Sequence, residues 1–377
     1  MPRRARHTGK KPPFRLRREA RTCDFAWLER LTETSAYDLF VQLRWHDNGG
    51  DPYCPTCGSL RCAKIGTRPR WWMCTERGCR KQFSVTSGTI FHSRQLSFLK
   101  LVKMLFHFSG APKGVPALQM SFTIDCQYKT AYVNLQKLRQ AMSSERDEIT
   151  LSGAIELDGA YFGGKVKPAN LKKDRMDRRK AWQVKRQKER CMIVLRERGR
   201  GKQHKAAGRT LAFAAHGETS QVIVAAARSL VLKGKPTFFY TDGHVAYEDL
   251  EAFGTLKAGN HKKGFSVDGV TTNLAESFFS RARRGEVGSY HHMAPVWLDL
   301  YAAEMTWREN NRRIGNKQVM EKLLRFALSH PVSRLLKGYW QHWQVPDEQL
   351  ERKELRWKRV FSRMRGKPLP PTTCFAT

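Results

Sequence analysis

The sequence lacks the two features that would place the protein in a membrane or direct it out of the cell. No stretch approaches the roughly 18 consecutive apolar residues that a membrane-spanning helix needs. The N-terminal segment has no apolar core of the kind found in a secretory signal. We therefore expect a cytoplasmic protein. Residues 1–23 are predicted to form a disordered basic arm, although an Arg-rich, acid-poor start is also typical of transit peptides.

Negative charge is scarce as well. The 377 residues include 34 acidic side chains against 69 Lys and Arg, so the net charge is +35. This excess predicts a polyanionic partner, most simply double-stranded DNA contacted through its phosphates, and association with the nucleoid. An anionic membrane is the competing partner, but no basic amphipathic helix with a clean apolar face is present, so no membrane partner is predicted. A hydrophobic content of 40% supports folded cores and excludes a largely disordered chain.

Most of the chain is poor in cysteine, because five of the nine cysteines lie between positions 54 and 79. Such clustering in a chain without an export signal favours a metal site over disulfides. A CxxC pair is followed, after sixteen residues, by a wider pair, and four thiolates from two turns can bind Zn²⁺ tetrahedrally. The predicted zinc ligands are Cys54, Cys57, Cys74 and Cys79. Cys62 is a spare thiol that could substitute for one of them.

Apolar periodicity predicts helices on both sides of the cysteine cluster. Residues 24–45 are typical of one or two short helices, and residues 96–109 are apolar nearly all round, as in a buried helix. A short helix, a turn at 123–125 and a longer basic helix follow, an order that indicates a helix-turn-helix. The longer helix is predicted to carry an apolar stripe formed by Ala131, Leu135, Leu138 and Met142. Its candidate DNA contacts, which lie off that stripe, are Lys129, Lys137 and Arg139. Three packed helices without a DNA contact remain the alternative.

From residue 154 onwards the pattern changes to strands and helices. Three strands are followed by a helix, a strand, a short helix, a final strand and two more helices, which predicts an α/β fold with a mixed sheet flanked by helices. The basic stretch between the first two strands is expected to be a polar insertion or a loop. We predict these segments: a basic arm (1–23), a helical segment (24–48), a zinc ribbon (49–92), a helix-turn-helix (93–146), a catalytic domain (152–312) with a basic insertion (166–190), and a basic helical extension (313–377).

Three acids occupy informative positions in the predicted sheet domain. Asp158 lies in its first strand, and Asp242 ends the strand that is most apolar on both faces. Acids on neighbouring central strands can bind Mg²⁺ or Mn²⁺ through oxygen, although an Asp in such a turn is often only a turn residue. Glu276, on a later helix, is a candidate third ligand, and Asn273, one turn earlier, could supply or assist it. Arg281, Arg283 and Arg284 follow on the same helix and suit phosphate contacts.

Several sequence motifs resemble those of a known family. ELDGAYFGGK, YTDGHVAY and TNLAESFFSRARRGEVGSYHH, preceded by CPTCGS and KQFSVTSGTIF, are similar to bacterial insertion-sequence transposases of the DDE type with a zinc ribbon and an ISXO-like domain. The resemblance covers residues 24–312 and implies an RNase H-like catalytic fold. It implies that Asp158 and Asp242 are catalytic, with Glu276 or Asn273 as the third residue; we favour Glu276. Gly159 departs from the acid often found after the first Asp.

The function implied by the resemblance is metal-dependent cleavage at the ends of an insertion sequence, followed by strand transfer into target DNA. The enzyme is expected to act as a homo-oligomer, as transposases generally do. An RNase H-fold nuclease or resolvase would explain the acids equally well. A non-catalytic regulator with a zinc ribbon and a helix-turn-helix would explain the charge and the cysteines, but not the three acids in the sheet domain.

Overall fold

The computed structural model describes residues 12–164, 168–199, 206–231, 235–259, 270–336 and 338–339. The described chain contains two β-sheets, with helices before, between and after them. The helices are α1 (Phe25–Glu29), α2 (Glu33–Arg44), α3 (Phe98–Gly110), α4 (Ala117–Thr123), α5 (Tyr128–Asp147), α6 (Arg178–Lys188), α7 (Ser220–Leu230), α8 (Asn273–Gly285), α9 (Leu298–Asn310) and α10 (Asn316–Ser329). The strands are β1 (Cys62–Lys64), β2 (Trp71–Cys74), β3 (Gln82–Ser84), β4 (Gly153–Gly163), β5 (Glu189–Arg198), β6 (Ala207–Ala215), β7 (Thr237–Thr241) and β8 (Thr255–Ala258).

The first sheet is a small antiparallel one with the order β1-β2-β3. Its inner face packs onto the N-terminal helices through aromatic side chains. Trp72 stacks on Phe83 at 6.1 Å and meets Trp45 edge-on at 5.1 Å. These three rings are buried in one hydrophobic cluster that also includes residues of α2 and α3. The small sheet is therefore joined to the helices by a shared core.

Helices α1 to α5 surround that core, and α10 completes it. Helix α3 begins at Ser97, whose hydroxyl accepts a hydrogen bond from the Lys100 backbone N–H. The apolar stripe predicted for α5 is buried as expected, from Ala131 to Met142. Helix α10 packs against α2, α3 and α5, so this part of the C-terminal extension belongs to the N-terminal core. None of the helices in the described parts of the chain combines the length and apolar character that a membrane crossing requires.

The second sheet has five strands in the order β6-β5-β4-β7-β8. Strands β4, β5 and β6 form an antiparallel meander, and β7 and β8 add in parallel on the other side of β4. The strand and helix order predicted for residues 154–311 is thus confirmed except for helix α6, which lies between β4 and β5. The sheet is mixed because β4, β5 and β6 pair antiparallel, whereas β7 and β8 pair in parallel.

Helices cover both faces of the five-stranded sheet. Alternate residues of β4 point to opposite sides: Leu157 packs with α7, whereas Ala160 and Phe162 pack with α8 and α9. Strand β5 is buried on both faces over residues 191–196, which explains its continuous apolar run, whereas Tyr161 of β4 and Phe238 of β7 are exposed. The sheet is therefore driest at β5 and partly open to water along β4 and β7.

The basic insertion differs from the expectation of a plain polar loop. Asp177 caps a helix, α6, whose side chains are largely exposed. Spacing alone did not reveal this helix, because it has no apolar face to pack on the core. Parts of other predictions, namely residues 1–11 of the arm, 166–167 of the insertion and 340–377 of the extension, lie outside the described residues.

Candidate functional site

The parallel pairing of β4 with β7 brings Asp158 and Asp242 to the same level of the sheet. The register joins Gly153 to Thr237 and Glu156 to Tyr240, a constant offset of 84 positions. The same offset relates Asp158 to Asp242, which follows the last residue of β7. Side chains alternate along strands, so both acids belong to the side of the sheet that carries α8. The structure therefore brings together the first two predicted site residues.

The environment of Asp158 disfavours its negative charge. Burial, followed by the charges of Asp242, Glu218 and Glu276, raises the pKa of Asp158 to about 7, even though the backbone N–H of Gly159 donates to its Oδ1 at 2.8 Å. The contribution of Glu276 shows that α8 places this acid in the same neighbourhood. A cation is the simplest group that would stabilise the ionised form of such a cluster.

A buried carboxylate fixes the start of α8 against β4. Glu156, also on the α8 side of the sheet, accepts hydrogen bonds from the backbone N–H groups of Leu274 and Ala275 at 2.8 and 3.2 Å. Arg198 donates to the other oxygen of Glu156 at 2.8 Å. A negative charge at a helix N-terminus is favoured by the helix dipole. This contact holds the turn that contains Asn273 and Glu276, both of which are exposed.

Glu218, in the turn before α7, is an acid of this neighbourhood that the sequence interpretation missed. Its carboxylate lies against the backbone of Gly159, where an added Cβ would be only 2.6 Å from Glu218 Cδ. The hydroxyl of Tyr247 donates a hydrogen bond to Glu218. The glycine that departs from the family pattern thus leaves room for an acid from another part of the chain. That departure was the one signal in the sequence that could have led to Glu218.

The predicted DNA contacts on α8 are accessible. Arg283 and Arg284 are exposed. The side chain of Arg281 is 40% exposed, and its Nε donates to Glu309 at 2.7 Å. These arginines follow Glu276 along one helix, as expected from the sequence.

The contacts predicted on α5 divide into three cases. Lys129 is exposed at the N-terminal end of the helix, and Lys137 is half-buried. Arg139 is only 2% exposed, and its Nε donates to the buried carboxylate of Glu304 at 2.6 Å. The interpretation of Arg139 as a DNA contact is therefore wrong, because α9 covers that side of α5 and takes up its charge.

The four predicted zinc ligands converge at one point of the small sheet. All four sulfur atoms lie within 4.8 Å of one another, with Cys54 and Cys79 Sγ 3.7 Å apart and Cys57 and Cys74 Sγ also 3.7 Å apart. Tetrahedral Zn–S bonds of about 2.3 Å require sulfur separations of about 3.8 Å, so the site fits Zn²⁺. Cys62 is outside the group; its Sγ lies 3.4 Å from the carbonyl oxygen of Ser59.

The surroundings of Cys54 lower the pKa of its thiol, which favours the thiolate that binds metal. Burial alone would raise its pKa, but backbone N–H groups of Cys57 and Thr56 and the neighbouring thiols lower it to about 7. Among the described residues, the four cysteines are the one set of three or more Cys, His, Asp or Glu side chains placed to hold a metal ion, and the acids around Asp158 do not form such a group. Their all-oxygen donor set and mutual repulsion nevertheless fit a hard divalent cation such as Mg²⁺ or Mn²⁺.

Two family models match the parts of the chain that carry these two sites. The family model of the ISXO2-like transposase domain matches residues 150–310, and that of the transposase zinc-ribbon domain matches residues 31–82. A curated relative, described as an uncharacterized protein in transposable element ISH50 of Halobacterium salinarum, is 25% identical over 307 residues, which are 79% of this chain and 98% of the relative. No solved structure matches the chain.

Proposed function

The chain belongs to the family of ISXO2-like transposases with a zinc ribbon, and from this premise we propose that it cleaves DNA at the ends of an insertion sequence and transfers the strand into target DNA. One observation carries the proposal. Asp158 of β4 lies level with Asp242, which directly follows the adjacent parallel strand β7, and Glu276 is close enough for its charge to raise the pKa of Asp158. Acids that repel one another in a strongly basic protein suit a metal-dependent phosphoryl transfer.

The catalytic domain is proposed to be RNase H-like. An antiparallel meander of three strands, extended by two parallel strands beside the first, supports this assignment. Helices on both faces, an acid within β4 and another directly after β7 agree with it. We propose residues 152–312 as this domain.

In the proposed reaction the residues of this chain bind and orient the reacting groups. Bound Mg²⁺ or Mn²⁺ would activate the attacking oxygen and stabilise the leaving oxygen during in-line displacement at phosphorus. Asp158, Asp242 and Glu276 would hold it through carboxylate oxygens. Burial of Asp158 keeps bulk water from screening that interaction, and the β4 and β7 backbones fix the two Asp residues. The attacking group is water in the cleavage step and a 3′-hydroxyl in strand transfer.

Glu276 is the preferred third catalytic residue. It shares the exposed side of α8 with Asn273, and its charge reaches Asp158. The hydroxyl of Thr272 lies 3.4 Å from Glu276 Oε1. The anchor formed by Glu156 keeps both candidates near the two Asp residues, so the choice between them requires direct comparison.

Double-stranded DNA is the proposed partner, bound as element ends and as target. Residues 49–92 are proposed to be the zinc ribbon, and residues 93–146 the helix-turn-helix. Lys129 lies at the exposed N-terminal end of α5, the end of a recognition helix that reads bases in this motif. We also propose that the protein acts as a homo-oligomer at the nucleoid in the cytoplasm, because two element ends have to be processed together.

The test uses labelled oligonucleotides that mimic the inverted repeats flanking the gene. Asp158→Ala and Asp242→Ala should retain DNA binding in a mobility-shift assay but lose Mg²⁺-dependent cleavage and strand transfer. Glu251→Gln, which removes an exposed acid away from the site, is the matched control and should behave as wild type. Cleavage at the wild-type rate by either Asp variant would refute the assignment.

Two further outcomes separate the alternatives. Glu276→Gln should abolish cleavage, whereas Asn273→Ala should retain part of it; the opposite order would assign the third role to Asn273. Cleavage without strand transfer would indicate a nuclease or resolvase. Sequence-specific binding without either reaction would indicate a regulator.

A further inference from the structure

A second polar feature, on another side of α8, is a cavity of about 450 Å³ lined mainly by arginines. Among the described residues that line it, six are arginines and one, Glu309, is acidic. The arginines come from five parts of the chain: the N-terminal segment, β5, α8, α9 and the turn after α9. They are Arg15, Arg196, Arg281, Arg308, Arg312 and Arg313.

Two of these arginines form the base of the cavity, and their guanidinium groups already donate hydrogen bonds within the protein. Arg196 donates to Thr210 Oγ1 at 3.1 Å and to the Leu274 carbonyl oxygen at 2.8 Å, and it also pairs with Glu309. Arg308 donates to Glu304 Oε1 and to the Phe108 carbonyl oxygen, both at 2.8 Å. Their side chains are 2% and 6% exposed, so they shape the cavity and contribute charge without being free to move.

Three of the other arginines are accessible from solvent: Arg15 and Arg313 are exposed, and Arg281 is partly exposed. Arg312 is half-buried and donates hydrogen bonds to the carbonyl oxygens of Glu309 and Ala207. Glu309 is shared between Arg196 and Arg281, so one carboxylate faces several guanidinium groups. Burial, followed by the charges of Arg281 and Arg312 against the opposing effect of Glu309, lowers the pKa of Arg196 to about 10. The cavity therefore holds a positive charge that its own acid does not balance.

The position of the cavity relates it to the candidate active site. Arg281 follows Glu276 by five residues, a rise of about 7.5 Å along α8. Ser280, which is exposed, lies between these two residues along the helix, and Arg284, also exposed, lies one turn beyond Ser280. A DNA strand that crosses α8 at Glu276 can thus continue past Ser280 towards Arg281 and Arg284.

We propose that this arginine cavity binds a backbone phosphate of the DNA strand that enters the active site, a few nucleotides from the cleaved bond. The proposal rests on the proposed DNA-cleaving function. Guanidinium groups bind phosphate oxygens through paired, charge-assisted hydrogen bonds. A free polyphosphate or nucleotide offers the same chemistry, but the exposed path along α8 favours a strand that is already bound there.

The experiment measures DNA affinity in the absence of divalent metal, so that it does not depend on catalysis. Fluorescence anisotropy with a labelled duplex is recorded over a range of salt concentrations for the full-length chain. Arg281→Gln and Arg313→Gln should each weaken binding roughly tenfold and reduce the slope of log K against log salt by about 0.9. Arg228→Gln, which removes an exposed arginine on the opposite face of the sheet, is the matched control and should change both quantities little.

Arg281→Gln also removes the ion pair with Glu309, so a folding defect would confound its effect on DNA binding. Arg313 is exposed, and Arg313→Gln therefore tests the cavity without breaking that pair. Affinities and slopes equal to those of Arg228→Gln in both variants would overturn the proposal. Unchanged DNA binding with lost binding of tripolyphosphate would overturn it too, by assigning the cavity to a free anion. The proposed function fails separately, if Asp158→Ala retains cleavage.

Discussion

Asp158 combines a half-buried carboxylate with three acidic neighbours, and this environment has a consequence for stability. Its pKa is raised to about 7 in the folded protein, against about 3.9 in an unfolded chain. Between these values the folded state holds more protons, so the free energy of unfolding falls as pH rises through this window. Ionised Asp158 therefore destabilises the metal-free protein above neutrality, and a bound cation should restore the loss.

Asp158→Asn should stabilise the metal-free protein, because an amide of nearly the same shape cannot ionise. We expect a gain of about 1–3 kcal/mol near pH 8 and little change near pH 4. Mg²⁺ should raise the melting temperature of the wild type near pH 8 but not that of the variant. Denaturant unfolding across this pH range measures the first effect, and thermal unfolding with and without Mg²⁺ measures the second. Parallel pH profiles for wild type and variant would contradict the role given to this charge.

The two central Asp residues were within reach of sequence reasoning, whereas Glu218 was not. Alternating apolar residues marked β4 as a strand, and a continuous apolar run marked β7. An acid within or directly after such a strand stands out because burying a charge is costly. Glu218 lies in a turn, where acids are common. Its importance comes from contact with the backbone of Gly159, 59 positions earlier in the chain, and no local pattern records such a contact.

At the scale of elements, α5 shows the same limit. Its apolar stripe correctly predicted the face that packs on the N-terminal core. Arg139 lies off that stripe, and the helical period of the apolar residues therefore predicts that its side chain is exposed to solvent. Helix α9 packs on this second side and supplies Glu304, 165 positions later. A helix that is buried on two sides cannot be recognised from one amphipathic pattern.

The convergence of four thiols in the small sheet yields a prediction at the scale of an element. Cys54 and Cys74 belong to the same hydrophobic cluster as Phe40 of α2 and Leu101 of α3. Loss of zinc should therefore unfold the ribbon and also loosen the helices beneath it. Purified protein should contain one zinc per chain by atomic emission, and a strong chelator should lower its melting temperature.

Single cysteine variants test which thiols bind the zinc. Cys79→Ser should lose most of the bound zinc, because a hydroxyl is a poor replacement for thiolate. Cys62→Ser is the matched control, since Cys62 lies in the same ribbon but outside the group of four sulfur atoms. Equal zinc loss in both variants would show that Cys62 takes part in binding.

At the scale of the whole molecule, one buried carboxylate joins the N-terminal helices to the sheet domain. Glu304 of α9 accepts hydrogen bonds from Arg139 of α5 at 2.6 Å, from Arg308 at 2.8 Å and from the Tyr290 hydroxyl at 2.7 Å. Arg308 also donates to the carbonyl oxygen of Phe108 in α3. Burial would raise the pKa of Glu304, but Arg139 and Arg308 lower it below its usual value. The carboxylate therefore stays ionised and holds three helices and the turn after α8 in one arrangement.

Glu304→Gln should be strongly destabilising, because it leaves two buried guanidinium groups without a counter-charge. We expect the free energy of unfolding to fall by about 3–5 kcal/mol. Glu321→Gln, which removes the acid of a pair between Lys317 and Glu321 on the surface of α10, is the matched control and should cost at most about 1 kcal/mol. Denaturant unfolding compares the two variants. If Glu304→Gln costs no more than the control, the Glu304 cluster does not hold the N-terminal helices to the sheet domain.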